Sequence, residues 1–296
     1  MVRKNELAFR RGKLSPYQFT TLKRSFALYE RLDVYLYEQG YFDSREKAKR
    51  MIMAGNVMIN GQRKDKPGER IKEINKVEIK EKEINYVSRG GLKLEKAIDV
   101  FQFDVKNKIG MDIGASTGGF TDCMLQNGAL KVYAIDVGYG QLDYRLRQDS
   151  RVISMERKNF RHMTFDEIGE KVDRVTMDVS FISITKLLDN VRLFLKELGE
   201  GIVLIKPQFE AGKEFVGKNG IVRDRKVHKK VLLDIIEELQ KKGFSILGLD
   251  FSPVKGTKGN IEYICHIRKE NIETMEKIDY YELIEQIVSS SHENLD

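Results

Sequence analysis

Apolar runs alternate with helix-like segments through the last two thirds of the chain. Between the runs, apolar residues recur at helical spacing, as in ITKLLDNVRLFLKEL and in VLLDIIEELQKKG. Strands that alternate with helices in this way form parallel sheets covered on both faces. The pattern therefore predicts an α/β fold with a doubly wound, mostly parallel sheet. The apolar runs that serve as its strands include IGMDIGA (109–115), KVYAIDVG (131–138), VDRVTMDVS (172–180) and GIVLIKPQF (201–209).

The first of these runs leads into a glycine-rich loop, MDIGASTGGFTD (111–122). Doubly wound sheets bind ligands beyond the carboxyl ends of their strands, and glycine lets a ligand approach the backbone. No Lys lies between residues 109 and 130, which excludes a Walker loop, and the glycines at 114, 118 and 119 do not form G-x-G-x-x-G. Asp136 lies near the end of the next run, 22 residues beyond Gly114. A carboxylate there can accept hydrogen bonds from both ribose hydroxyls of an adenosine ligand, NAD included, so these residues alone leave the ligand open.

The basic charge is concentrated in the first third of the chain. Residues 1–88 contain 20 Lys and Arg against 12 Asp and Glu, so 32 and 33 of the totals of 52 and 45 remain for residues 89–296. A basic module beside a nearly neutral one indicates an anchor for a polyanion joined to a separate working domain.

The basic third is itself divided. Residues 1–30 show no periodicity and receive no site; they are either a flexible, disordered arm or a non-native start. From Arg31 a short helix with Leu32 and Leu36 on one face is expected to end at Gly40. Ser44 is the predicted N-cap of a second helix that ends at Gly55, and short strands follow.

The remaining composition narrows the class of protein. The 296 residues are 41% hydrophobic, which suits one large domain and a small one. The sequence indicates neither a secretory signal nor a membrane span. Cys123 and Cys265 lie far apart without metal-ligand spacing, so we expect reduced thiols and no metal. We expect a cytoplasmic, monomeric protein with no membrane partner.

The segment SREKAKRMIMAGNVMINGQ (44–62) resembles the S4-like (αL) RNA-binding domain. The resemblance implies a small α+β domain over residues 31–82 and a linker at 83–88. It also implies phosphate contacts, which give affinity for RNA without reading its sequence. The candidate RNA-binding residues are Arg45, Lys47, Lys49, Arg50, Arg63, Lys64 and Arg89, with Lys255 and Lys258 flanking the cleft of the next domain.

The pattern D-x-G-x-x-x-G-G-F, with an acid at the end of the next strand, resembles S-adenosylmethionine-dependent methyltransferases of the FtsJ-like group. The motifs SRGGLKLEKA, AIDVGYGQL, MDVSFIS, IKPQFEAG and KGNIEYICHI occur in the order typical of the hemolysin A-like (TlyA) rRNA methyltransferases, which carry the same N-terminal domain. The resemblance implies a Rossmann-like domain over residues 89–268 and an acidic helical tail over 269–296. It implies that S-adenosylmethionine is bound by Asp112, Gly114, Ala115, Ser116, Thr117, Gly118, Asp136, Asn159 and Asp178.

The same resemblance implies a catalytic tetrad of Lys93, Asp178, Lys206 and Glu262. Lys206 would lie among other cations and act as a base or orient the ribose oxygen, while the acids position the two lysines. Glu262 is the least certain member from sequence, because it alternates in a strand where an edge ion pair would also fit. Asp112 is expected to shape the loop. We predict that Phe120, Phe181 and Phe209 pack rather than stack on a base.

The implied function is 2′-O-methylation of cytidine in ribosomal RNA, with ribosomal subunits as partners. Family members modify the large subunit or both subunits, and the acidic tail resembles the form that modifies both. Two alternatives stay open. A pore-forming hemolysin is opposed by the lack of a signal or a membrane span, and a catalytically inactive ribosome-binding module is opposed by the intact tetrad.

Overall fold

The computed structural model describes residues 30–42, 44–53, 55–71, 76–79, 86–256, 258–271 and 279–295. The side chains of Arg50 and Ile71 lie outside this description, as do residues 1–29 of the predicted arm (1–30) and the first part of the predicted linker. The chain divides into two compact units, Met1–Glu83 and Ile84–Asp296.

The first unit contains two short helices and short antiparallel strands. Gly40, with a φ of +74°, follows the first helix as predicted. Ser44 Oγ accepts a hydrogen bond from Lys47 N at 3.2 Å, which confirms the predicted N-cap of the second helix. The elements are β1 (Glu30–Arg31), α1 (Leu32–Glu38), α2 (Arg45–Met53), β2 (Val57–Ile59), β3 (Gln62–Lys64), β4 (Arg70–Ile71) and β5 (Val77–Ile79). The central sheet has the order β3-β2-β5, and β1 pairs with β4.

The second unit alternates strands and helices along most of its length. Its elements are α3 (Gly90–Phe101), β6 (Ile109–Ile113), α4 (Gly119–Gln126), β7 (Lys131–Ile135), α5 (Tyr144–Gln148), β8 (Val152–Met155), β9 (Val172–Met177), α6 (Leu188–Phe194), β10 (Leu195–Ile205), α7 (Pro207–Glu210), α8 (Arg225–Lys241), β11 (Phe244–Phe251), β12 (Tyr263–Lys269) and α9 (Tyr281–Leu295).

The seven strands of this unit form one sheet in the order β11-β12-β10-β9-β6-β7-β8. The pairs β6–β7, β7–β8, β6–β9 and β9–β10 are parallel, whereas β12 is antiparallel to both of its neighbours. The predicted doubly wound, mostly parallel sheet is therefore confirmed. The chain leaves β6 toward β7 on one side and later returns to β9 on the other. The loop after β6 consequently lies at the topological switch point, where such folds bind ligands.

Hydrophobic cores lie on both faces of the sheet, because successive strand residues point to opposite sides. In β7, Val132 and Ala134 join a core with residues of α3 and α4, whereas Tyr133 and Ile135 join a core with residues of α6 and α8. Helix α9 lies within the predicted acidic tail. It contributes Ile284, Ile287 and Val288 to the second of these cores.

Candidate active site

The four predicted catalytic side chains lie together where the parallel strands of the large sheet have their carboxyl ends. This side of the sheet is called its active-site edge. Asp178 and Lys206 directly follow the neighbouring parallel strands β9 and β10. Glu262 directly precedes β12, and because β12 is antiparallel, its first residues lie at the same edge. Lys93 reaches this edge from the first turn of α3.

The tetrad forms a row of alternating charges. Lys93 Nζ lies 2.7 Å from Glu262 Oε2 and 3.1 Å from Asp178 Oδ2. On the other side of Asp178, Lys206 Nζ lies 2.5 Å from Oδ1. Lys206 Nζ also donates to Ser180 Oγ at 3.2 Å. Two lysine side chains and two carboxylates thus alternate along this row, in a site that is nearly closed to water.

Burial makes these ion pairs decisive for the protonation states. Lys93, Lys206 and Glu262 are 7%, 6% and 3% exposed. Burial by itself raises the pKa of Asp178, but the charges of Lys93 and Lys206 outweigh it and hold that pKa below its ordinary value. Burial lowers the pKa of Lys93, yet Asp178 and Glu262 more than offset this and raise it. Lys93 is therefore a permanent ammonium group. Lys206 Nζ contacts Asp178, one of the two acids that were expected to position the lysines.

Glu262 does not occupy the place that its sequence pattern suggested. It precedes β12 instead of alternating within it, and β12 is an internal strand flanked by β10 and β11. Gln208 Nε2 donates to Glu262 Oε1 at 3.3 Å. A Cβ added to Gly256 would come within 2.4 Å of the same oxygen, so the turn after β11 presses against the carboxylate.

The loop after β6 lies directly beside the tetrad. Gly114 has a φ of +82°, and a Cβ on it would come within 2.7 Å of the Asp178 carbonyl oxygen. Asp178 N in turn donates to Ile113 O at 3.0 Å. Only glycine fits this position, because any side chain would push the loop away from the residue that links both lysines. Gly118, with a φ of +96°, is the N-cap residue of α4.

Asp136 fixes the other side of the same loop. Its carboxylate accepts hydrogen bonds from Ser116 N at 2.8 Å and from Gly138 N at 2.7 Å. The side chain is half-buried, and carboxylate oxygens can accept further hydrogen bonds. Of the other loop residues, Ala115 is buried in the core beside α4, and Thr117 O accepts from Asp143 N at 3.1 Å.

Asp112 lies beneath the loop and is 1% exposed. Its Oδ2 accepts from Thr121 N at 2.9 Å and from Thr121 Oγ1 at 2.7 Å, and its Oδ1 accepts from Thr176 Oγ1 at 3.0 Å. Burial raises the pKa of Asp112 to about 6, although these hydrogen bonds act in the opposite direction. These hydrogen bonds connect the start of α4 to β9, in agreement with the expectation that Asp112 shapes the loop.

Asn159 lies at the same edge of the sheet, after β8. Its Oδ1 accepts from Arg161 N at 3.1 Å and thereby caps the 3-10 turn Phe160–His162. The preceding residue, Lys158, donates its N–H to Asp136 O at 3.0 Å. Asn159 is thus close in the fold to the acid predicted for the ribose.

Several of the cations predicted to bind RNA have acidic partners in the first unit. Arg45 Nε lies 2.8 Å from the buried Asp33 Oδ2, Lys49 Nζ lies 2.8 Å from Glu46, and Lys64 Nζ lies 2.7 Å from Glu69. The other candidates differ in exposure: Lys47 is half-buried, Arg63 and Arg89 are exposed, and the Arg50 side chain is outside the described structure.

The prediction that all three phenylalanines pack is wrong for Phe181. Phe120 is buried as expected, but Phe181 is 89% exposed. It has a φ of +65°, which a bulky residue rarely adopts, and its ring centroid lies 5.1 Å from that of the half-buried Phe209. The ring therefore lies in solvent three residues beyond Asp178. The only signal in the sequence is its place between two serines of a loop, SFIS.

Comparisons with known proteins agree with this geometry. Residues 86–269 match the FtsJ-like methyltransferase family, and residues 30–75 match the S4 domain. YqxC of Bacillus subtilis is 53% identical over 239 residues, which cover 80% of this chain and 85% of YqxC. The 16S/23S rRNA (cytidine-2′-O)-methyltransferase TlyA of Mycobacterium tuberculosis is 38% identical over 241 residues, 81% of this chain and 90% of TlyA.

A solved structure bearing a hemolysin name, from Streptococcus thermophilus, is similar over most of the chain. It is 47% identical, has a TM-score of 0.71, and covers 91% of this chain and 98% of its own. Among the residues that the structure describes, no helix is both long enough and apolar enough to cross a membrane. The match over residues 86–269 and the identity to these relatives show that the chain belongs to the FtsJ-like methyltransferase family and carries an S4 domain in front.

Proposed function

We propose that this protein transfers a methyl group from S-adenosylmethionine to the 2′-hydroxyl of cytidine in ribosomal RNA. The observation that carries the proposal is the row Glu262–Lys93–Asp178–Lys206, which is assembled beside the glycine loop from four separate segments of the chain. The name of the TlyA relative supports the substrate and the position of the methyl group.

The residues around the loop fit S-adenosylmethionine. The glycine at 114 keeps the backbone free of a side chain at the point where the loop meets Asp178. Asp136 offers a half-buried carboxylate for two ribose hydroxyls, and Asn159 lies close by for the adenine side. We assign the amino-acid end to the loop residues 114–118 and to Asp178. When bound, this cofactor supplies an electrophilic methyl group on a sulfonium.

Lys206 is assigned to the ribose oxygen. To act as a base, Lys206 must be a neutral amine, whose two N–H groups are accepted by Asp178 and Ser180. The lone pair of Nζ then faces the 2′-hydroxyl, which it orients and whose proton it receives as the new O–C bond forms. Asp178 holds the two lysines in line, and Glu262 anchors Lys93, whose fixed positive charge stabilises the developing negative charge on oxygen.

Phe181 is assigned to the base of the target nucleotide. A nucleotide must be turned out of its stack for its ribose to reach a recessed lysine, and exposed aromatic rings stabilise such bases. The exposure of Phe181 and its support by Phe209 suit this task.

The test is methyl transfer from radiolabelled S-adenosylmethionine to separated ribosomal subunits, with the native protein and Lys206→Ala. We expect Lys206→Ala to reduce the rate by about 10²–10⁴-fold, since it removes the proton acceptor. Binding of the cofactor, measured by calorimetry, should change by less than about twofold. Substantial residual transfer by Lys206→Ala would contradict its assignment. If the native protein labels neither subunit, the proposed methyl transfer is refuted.

A further inference from the structure

A hollow of about 380 Å³ opens in the segment between α7 and α8. Ligand-binding clefts in proteins have volumes of about 300–1,000 Å³, so the hollow is large enough for a small ligand such as a single nucleotide. We propose that this hollow binds a second nucleotide of the RNA, one that flanks the methylated residue; this inference rests on the function proposed above. The lining residues are Phe215, Gly217, Lys218, Asn219, Ile221 and Arg223.

The side chain of one buried asparagine connects the wall of the hollow to the active-site segment. Asn260 is 2% exposed; its Nδ2 donates to Gly220 O at 2.8 Å, and its Oδ1 accepts from Val222 N at 3.0 Å. Asn260 O also accepts from Gly256 N at 2.8 Å, in the turn that presses against Glu262. Both polar groups of one side chain thus fix the wall of the hollow to the segment that carries the last member of the tetrad.

Three cations around the hollow have no acidic partner in the part of the chain that the structure describes. Lys218, Arg223 and Lys258 are exposed, and no ion pair joins any of them to an acid within the described ranges. Some exposed lysines elsewhere on the same unit are paired, as in Lys230 with Asp234 and Lys241 with Glu237. The carboxylate of the nearby Asp224 caps α8 by accepting from Lys226 N at 2.8 Å.

This local excess is notable because residues 89–296 carry 32 basic and 33 acidic side chains, and so attract no polyanion as a whole. The segment 213–226 has five basic residues against two acidic ones. They are Lys213, Lys218, Arg223, Arg225 and Lys226 against Glu214 and Asp224. Unpaired cations concentrated beside a catalytic site favour contact with phosphate groups.

The aromatic residue identifies which kind of polyanion fits. Phe215 is 47% exposed at the hollow, although a ring of this size is usually buried. An aromatic face next to cations is the usual arrangement for unpaired nucleotides, whose bases stack while their phosphates are neutralised. The base therefore lies on Phe215, and the phosphate lies between Lys218 and Arg223. Phe181 and Phe215 hold two different nucleotides of one strand.

The first experiment compares Phe215→Leu with Phe215→Trp in the full chain, with ribosomal subunits as substrate. Loss of a stacking ring should raise the KM for RNA about tenfold and leave kcat nearly unchanged, because Phe215 is not part of the tetrad. Tryptophan keeps a stacking face and should stay within about twofold of the native protein. If leucine and tryptophan behave alike, base stacking at Phe215 is refuted.

The second experiment measures the salt dependence of binding to a fluorescein-labelled, single-stranded oligoribonucleotide. Replacing both Lys218 and Arg223 by Gln should reduce the slope of log K against log salt by about 1.4, or about 0.7 for each phosphate contact of single-stranded RNA. The matched control is Lys106→Gln. This exposed lysine precedes β6 and so lies at the opposite end of the sheet, and it should leave the slope unchanged.

Binding of the oligoribonucleotide requires no methyl transfer, so the nucleotide site and the proposed function are tested independently. If the native protein methylates no ribosomal RNA but the double variant binds the oligoribonucleotide with a reduced slope, the proposed function is wrong and the hollow still binds a nucleotide. If the double variant and Phe215→Leu bind it with native affinity and slope, the hollow is not a nucleotide site, whatever the enzyme does.

Discussion

Asp136 illustrates how one side chain serves both the loop and the proposed ligand. Its carboxylate already accepts from Ser116 N and Gly138 N, so it is oriented before a ribose arrives. Asp136→Ala should therefore weaken S-adenosylmethionine binding at least tenfold, because each hydrogen bond to a charged group contributes about 1.5–3 kcal/mol. Calorimetry measures the change. Asp149→Ala, which removes an acid that pairs with Arg151 away from the loop, is the matched control. Equal cofactor affinity in Asp136→Ala and the control would refute the ribose assignment.

Asp112 should make the stability of the protein depend on pH. Its pKa in the folded state is about 6, against an ordinary value of 3.8. The protonated form is favoured in the folded protein, so the stability that it contributes is complete below about pH 4 and is lost as the pH rises through 6. The loss at neutral pH is roughly 3 kcal/mol.

Asp112→Asn tests this dependence. The amide can still accept from Thr121 through its oxygen and donate to Thr176 Oγ1 through its nitrogen. We expect the variant to unfold at higher urea concentration than the native protein above pH 6, with the two curves converging below pH 4. A difference that is the same at all pH values would show that Asp112 does not titrate in this range.

The motifs of the sequence were sufficient to place the tetrad and the loop, because strand ends in a doubly wound sheet converge on one edge. They could not show that Phe181 faces solvent. Its exposure depends on a left-handed backbone conformation and on contact with Phe209, neither of which leaves a periodic pattern. The sequence also carried no sign of the hollow at Phe215. Its wall depends on a hydrogen bond between Asn260 and Gly220, which are 40 residues apart in sequence.

At the scale of elements, the sequence predicted the strands but not their directions. The run IEYICHI indicates a strand whichever way it points. Only the structure shows that β12 is reversed, and this reversal brings the residue before the strand, Glu262, to the edge where the other strands end. A parallel β12 would have carried Glu262 to the far side of the sheet. The topology of the sheet thus explains how Glu262, the tetrad member that was least certain from the sequence, reaches the active site.

Helix α9 is held to the sheet by a buried row of polar groups. Tyr263 OH, on a fully buried side chain, lies 2.8 Å from His228 Nδ1 and 3.2 Å from Ser291 Oγ. His228 Nε2 lies 3.0 Å from Val222 O, which requires the proton on Nε2 and leaves Nδ1 to accept from the tyrosine. Strand β12, α8 and α9 are therefore joined at one hydroxyl.

Removing that hydroxyl should destabilise the protein without directly altering catalysis. Tyr263→Phe leaves Nδ1 of the buried His228 without its donor, which costs about 1–3 kcal/mol. Urea denaturation should show the loss, whereas kcat well below the melting temperature should stay close to the native value. The control is Tyr144→Phe at a 73% exposed position, expected to change stability by less than about 0.5 kcal/mol. A Tyr263→Phe variant as stable as this control would show that the hydroxyl contributes nothing.

At the scale of the whole molecule, the two units divide the charge and the chemistry. Residues 1–88 hold the net positive charge, and every member of the tetrad and of the proposed cofactor site belongs to the second unit. The sequence predicted this division from its charge distribution alone. It did not predict that Arg45, Lys49 and Lys64 already pair with acids of their own unit. Long-range attraction by the net charge, rather than these three side chains, is the more general source of RNA affinity.

Deleting residues 1–83 should consequently separate RNA binding from cofactor binding. The second unit has its own cores on both faces of its sheet, so the truncated protein should fold, as a single cooperative melting transition would verify. Its affinity for S-adenosylmethionine should remain native. Its affinity for ribosomal RNA should be much lower at low salt and should fall less steeply as salt increases, because fewer phosphates are neutralised. Filter binding over a series of salt concentrations measures both quantities in parallel with the full chain. The same affinity and the same slope for both proteins would mean that the S4 domain is not the RNA anchor, even if methyl transfer by the second unit were demonstrated.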